Sequence, residues 1–270
     1  MKKISNWQNI KNNLVGIYII WYREVLIYIR NKEKFFTSVF FPLLLLIFFG
    51  TGLENIFPIT NLSYDFKEFF FPGIIGASVA TLAITSTMSV VWDREFGFLK
   101  EILVSPISRI SIALGKILGA TTAALIEGIL LLLTAPFLGL DFTLPLYLIN
   151  LFIIFLIALG MSSLGLIIAS RIRKTESFNV ILQIFIAPMI FLSGAFFPIN
   201  NGPSWMLKLA SYNPLVYGIN ALRWAMLSST VSYEAIKKIT TTNFAVSFTN
   251  CILFDIIITL IAIYFFRKIR

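Results

Sequence analysis

Residues 142–170, FTLPLYLINLFIIFLIALGMSSLGLIIAS, run between Asp141 and Arg171 without one charged side chain. A helix needs about 20 mostly apolar residues to cross the hydrocarbon core of a bilayer. This stretch exceeds that need and has no polar face to turn toward water. Working outward, charge-free or nearly charge-free runs recur at 35–53, 69–92, 117–140, 177–207 and 239–266. Two of them carry a single acid, Glu127 in 117–140 and Asp255 in 239–266. Pro198, Gly202 and Pro203 predict that the helix opened by Ser177 stops near Phe197, with a kink at Pro188 near its middle and a bend or membrane re-entry of its upper part at Ser193-Gly194. The pattern predicts an all-α integral membrane fold of six transmembrane helices.

Composition agrees. Of the 270 residues, 58% are apolar and 13% charged, against roughly 45–50% and about 25% in soluble domains. Histidine is absent and Cys251 is the only cysteine, which excludes a His/Cys metal site, a disulfide framework and a Cys–His dyad within this chain. No cofactor is expected. No stretch fits the phosphate-cradling pattern G-x-x-x-x-G-K-[ST]; Gly115-Lys116 is followed by Ile117. An ATP-driven function therefore requires another chain to bind the nucleotide. The net charge of +9 is expected from basic loops retained in the cytoplasm, not from nucleic-acid binding.

With the N-terminus in the cytoplasm, 17 Lys and Arg fall inside and five (Lys67, Lys208, Arg223, Lys237, Lys238) outside. This bias predicts that both termini are cytoplasmic. Residues 1–34 precede the first span. Ile10, Leu14, Ile17, Trp21, Val25 and Tyr28 recur at helical spacing, and Arg23 and Glu24 cut the apolar run short of spanning length. An amphipathic helix lying in the membrane surface is expected there. A helix packed on other cytoplasmic protein is the alternative.

The loop at 93–109 follows the second span. Phe98, Leu99, Ile102 and Leu103 share one helical face, with Lys100 and Glu101 off it, and Pro106 predicts a stop near Val104. Such a helix is shaped either to dock into a groove on a partner or to anchor at the membrane interface. Deeper in the bilayer, Glu127 and Asp255 carry a cost of about 3 kcal/mol each on insertion scales. They either line a path or gate, or lock helix packing. Ser78, Thr81, Thr85, Ser86, Thr87 and Ser89 make the second span rich in hydroxyls. These serve packing or line a slot, and Thr85, Ser86 and Ser89 with Glu127 and Asp255 are the five candidate residues of a translocation path. Gly115, Gly119 and Ala123 form a small-residue stripe suited to close helix approach.

Two blocks carry a family resemblance. One is Phe71-Pro72-Gly73, Asp93-Arg94-Glu95 with Gly97, Leu103-Val104-Ser105-Pro106 and Gly115-Lys116. The other is Phe191-Leu192-Ser193-Gly194-Ala195-Phe196-Phe197-Pro198, Pro203, Trp205, Asn213-Pro214-Leu215, Tyr217 and Arg223. In order and spacing they resemble the permease subunits of ABC-2 type transporters, the second block most closely the drug and lipo-oligosaccharide exporter branch. The resemblance implies a type V exporter-like domain over residues 35–270, in the plasma membrane of a prokaryote. It also implies a second permease copy, two ATP-binding subunits, surrounding lipid and no enzymatic activity of its own. The loop after span two would be the coupling helix, with Arg94, Glu95, Gly97, Phe98, Leu99 and Glu101 at or near the ATPase contact. A folded extracellular region would occupy 200–242, with Asn213 capping a helix that starts at Pro214. The substrate would be an amphipathic drug, a lipid-linked sugar or a polysaccharide. A secondary transporter or channel, and more remotely a membrane transferase, are the alternatives.

Overall fold

The computed structural model describes residues 6–56, 66–140 and 142–269, and among them every regular element is helical. Lys2, Lys3 and Arg270, which contribute to the charge bias, lie outside the described residues. Helix α1 (Asn6–Arg30) and α2 (Lys32–Ile56) are followed by α3 (Phe66–Ser86), α4 (Met88–Glu95), α5 (Phe98–Val104) and α6 (Arg109–Leu132). Next come α7 (Leu144–Arg171), α8 (Thr175–Phe191), α9 (Ser204–Ser211), α10 (Pro214–Leu227), α11 (Tyr233–Ile239) and α12 (Phe244–Arg267).

Among the described residues, four segments are long and apolar enough to cross a bilayer: Phe66–Glu95, Arg109–Leu132, Leu144–Arg171 and Phe244–Arg267. Helix α8, at 17 residues, sits at the lower end of spanning length. The first of the four is interrupted once. Thr87 donates its hydroxyl to the Ile84 carbonyl at 2.7 Å, a back-bond that locally competes with the helix ladder.

Helix α7 is the central post, packed by α3, α6 and α12, while α10 wedges against α3, α7 and α12. Every residue of α10 from Leu215 to Leu227 except Tyr217 is buried. Asn213 starts it as expected. Its Oδ1 accepts from the Leu215 amide at 3.1 Å and its Nδ2 donates to the Met189 carbonyl at 2.6 Å, with Pro214 in the first turn.

Helix α8 ends at Phe191, short of the stop near Phe197 that Pro198, Gly202 and Pro203 predict. Pro188 lies in its last turn, and the chain turns back at Gly194, whose φ of +75° favours glycine. The turn is buried because Arg223, 1% exposed, donates to the carbonyls of Gly194 (2.5 Å) and Ala195 (3.3 Å) and stacks over the Phe69 ring at 3.9 Å. The same turn presses the Ala195 carbonyl onto Gly73 of α3, leaving no room for a Cβ there. Gly73→Ala is therefore expected to cost about 2 kcal/mol through overpacking against backbone that cannot step aside. Thermal unfolding of the purified chain measures it, and an unchanged midpoint would show that the turn yields.

Candidate functional site: a clamped loop and a lateral groove

The loop after α4 opens at Gly97, whose φ of +84° is the left-handed conformation that breaks α4 from α5. Helix α5 then ends at Val104, where Pro106 predicts it, and Ser108 caps α6 by accepting from the Ser111 amide at 3.0 Å.

The three residues before this turn each hold a different part of the bundle. Asp93, 4% exposed, takes both guanidinium nitrogens of Arg23 from α1 and the Lys116 ammonium of α6 at 2.5 Å. Lys116 also reaches Glu24 of α1 at 2.6 Å and the Ser89 hydroxyl at 3.3 Å. Two cations and two carboxylates thus neutralise each other, and the Asp93 carboxylate pushes the Arg23 pKa up from its ordinary value. Arg94 donates to the carbonyls of Ala169 (3.5 Å), Ser170 (3.0 Å) and Ile172 (2.5 Å), capping the end of α7. Glu95 accepts from the Thr175 amide (3.0 Å) and hydroxyl (2.5 Å), capping the start of α8. A consecutive Asp-Arg-Glu run thereby joins the loop to α1, α6, α7 and α8.

With Arg94 so engaged and Leu99 only 3% exposed, these two residues anchor the loop from within rather than facing outward. Phe98 is 54% exposed, and Glu101 is exposed beside it. Beside them lies a groove of about 610 Å3 between α1 and α5, lined by Val15, Ile19, Arg23, Phe98, Glu101 and Ile102 among others. Helix α1 itself packs on α6. Ile20 and Glu24 lie against Gly115 and Gly119, and Trp21 donates to the Thr122 hydroxyl at 2.9 Å. Its other face, with Leu14, Tyr18 and Tyr22, remains exposed and apolar.

A second feature lies between α2, α3 and α8. Cavities of about 560 Å3 and about 930 Å3 share Phe41, Leu45, Thr81, Thr85, Ile190 and Phe196, forming one lateral groove. Glu127 of α6 lines its inner part, 2% exposed, with Oε2 lacking a hydrogen-bond partner among the described residues. Lys34 lines the same part. Thr81 and Thr85 spend their hydroxyl protons on the Ala77 and Thr81 carbonyls, so they offer the groove acceptor lone pairs. Asn179 and Gln183 of α8 add amides.

The five expected path residues therefore separate. Glu127 and Thr85 meet in the groove. Ser86 and Ser89 line a small neighbouring cavity of about 30 Å3, hydrogen-bonded by Lys34 and Lys116 respectively. Asp255 lies on the far side of the bundle. It is pressed onto Gly160 of α7, and neither of its oxygens has a partner among the described residues.

Sequence reasoning missed the Arg23–Glu24–Asp93–Lys116 network and the groove-facing Asn179 and Gln183. The signal for the first was present, as four charges of balanced sign stand at the ends of three apolar segments.

A bundle of apolar helices with a buried acid opening on a side groove defines an integral membrane protein. Residues 15–227 match the ABC-2 type transporter family, and the chain belongs to that family. It is 27% identical to the transport permease ycf38 of Cyanophora paradoxa, over 89% of this chain and 83% of that one. It is 32% identical to the ycf38 permease of Porphyra purpurea, over 72% of this chain and 68% of that one. Against nodulation protein J of Rhizobium leguminosarum bv. viciae the identity is 28%, over 71% and 74% of the two chains.

Proposed function

We propose that this chain is the permease half of an ATP-driven exporter in the plasma membrane of a prokaryote. It works with a second permease copy and two ATP-binding subunits that hydrolyse the nucleotide. Residues 1–34 form the interfacial helix and residues 35–270 a domain of six spans: α2, α3 with α4, α6, α7, α8 and α12. Both termini face the cytoplasm, and residues 200–242 form an extracellular cap. The orientation draws support from Arg23, Arg94 and Lys116, through the contacts described above, and Arg109, which donates to the Arg267 carbonyl at the end of α12, gathering at one end of the bundle.

Helix α5 is the coupling helix in this reading. Phe98, Glu95 and Glu101 meet the ATPase, Gly97 sets the turn, and Arg94 and Leu99 hold the helix in place. Closure of the ATPase pair would push α5, and the Asp93-Arg94-Glu95 run would pass the displacement to α1, α6, α7 and α8 at once. Because α8 walls the groove, its tilt would open a path for an amphipathic drug, a lipid-linked sugar or a polysaccharide along Thr81, Thr85 and Glu127. Asp255 serves helix packing. The observation that carries this reading is an outward helix that directly follows three consecutive side chains joined to four other helices.

The test is cross-linking. A photoreactive residue at position 98 is expected to capture the ATP-binding subunit in native membranes, and one at position 205, on the extracellular side, is expected not to. Transport that persists without that subunit and follows a proton gradient would instead give the chain to the secondary transporters.

A further inference from the structure

The C-terminal ends of α7 and α12 enclose a cavity of about 280 Å3 that the transport reading leaves unused. Arg94, Arg171, Arg173 and Lys268 line it with the Phe265 ring, and no carboxylate lines it among the described residues. Helix C-termini attract cations by themselves, each end carrying about half a negative charge. Two ends offset only about one of the four positive charges.

Nor do the backbone carbonyls consume the rest. Arg94 serves the end of α7. Arg109, outside the cavity, serves the carbonyls of Arg267 (2.7 Å) and Ile269 (2.9 Å) at the end of α12. Arg171 stacks on Phe265 at 4.4 Å, and Lys268 bonds the Tyr264 hydroxyl at 2.5 Å. Among the described residues no carboxylate pairs with Arg171, Arg173 or Lys268. The concavity therefore holds an excess of fork-shaped and point donors with no carboxylate among the described residues to balance them, which fits the several oxygens of a phosphate. Directly along α12 from it runs an exposed apolar strip of Ile257, Leu260, Ile261 and Tyr264.

We propose that this cavity binds the phosphate of an anionic phospholipid, whose acyl chains lie along the exposed strip of α12. Basic pockets between helices at the cytoplasmic surface take such headgroups. Only the leaflet that supplies the lipid rests on the orientation proposed above. Arg94 forms one wall, so the occupant touches a residue that ties the coupling loop to α7.

The test is native mass spectrometry of the purified full chain with phosphatidylglycerol or phosphatidylcholine at equal concentration. The chain is expected to retain phosphatidylglycerol at least tenfold more strongly. Arg171→Gln/Arg173→Gln/Lys268→Gln, all at exposed positions, is expected to abolish that preference. Lys208→Gln/Lys237→Gln/Lys238→Gln, at the opposite end, is expected to preserve it. Equal retention of the two lipids, or equal loss in both triple variants, would overturn the site. Millimolar inorganic phosphate is expected to leave most of the lipid bound; complete displacement would assign the cavity to a soluble phosphate instead. Labelling that put residues 171–173 outside the cell would overturn the orientation while leaving the lipid preference intact.

Discussion

Lys116→Met is expected to lower the stability of the purified chain by about 4 kcal/mol, the cost of breaking a buried ion pair from one side. The methionine keeps the apolar stem, so the loss reports on charge and not on volume. Lys116 is 3% exposed and joins Glu24 at 2.6 Å to Asp93 at 2.5 Å. Without it, two buried carboxylates share Arg23 alone. Thermal unfolding should show a drop of about 10 °C, or loss of folded material. Adding Glu24→Gln restores one cation facing one carboxylate and is expected to recover more than half of the loss, a coupling that a double-mutant cycle measures directly. A drop below about 1 kcal/mol, the range of exposed pairs, would show that water reaches the network and that α1 is held by its apolar contacts alone.

That network marks where sequence reading stops. The charge-free criterion opens the third span at Ile117, but α6 begins at Arg109, because Ser108 caps it and Lys116 is neutralised inside the fold. A rule that treats every charge as exposed cannot anticipate a pairing between residues 92 positions apart. Local signals fared better. Pro106 placed the end of α5, Asn213-Pro214 placed the start of α10, and Leu144–Arg171 stands within a residue or two of the uninterrupted run. The membrane class and the family were legible because both rest on composition and on the order of short motifs.

The azimuth of each helix was not legible. Glu127 and Asp255 look alike as single acids in apolar runs, yet one opens on the groove and the other is shut behind Gly160. The end of α8 was legible only in part, since Pro188 and Ser193-Gly194 marked a bend in this span but not that the helix stops at Phe191 rather than near Phe197. The turn after Phe191 is held by Arg223, a residue expected among the outside charges and found buried.

Adjacent residues on α5 separate docking from folding. Phe98→Ala is expected to reduce ATP-driven transport at least thirtyfold, as removal of a contact worth about 2 kcal/mol would, with unfolding unchanged because half of the ring is already exposed. Leu99→Ala is expected to do the reverse at first instance, costing about 3 kcal/mol of stability through a core cavity. If α5 were instead an interfacial anchor, both apolar residues would act through membrane affinity. Phe98→Trp would then match or exceed the native chain, since tryptophan favours the headgroup zone. In the docking reading the larger ring fits the partner's groove poorly and transport falls. Measuring ATP hydrolysis alongside completes the argument. Phe98→Ala should leave the ATPase turning over with little substrate moved, because the nucleotide site is intact and only the mechanical link is cut. Normal transport by Phe98→Ala would remove α5 from the ATPase contact, whatever the fate of Leu99→Ala.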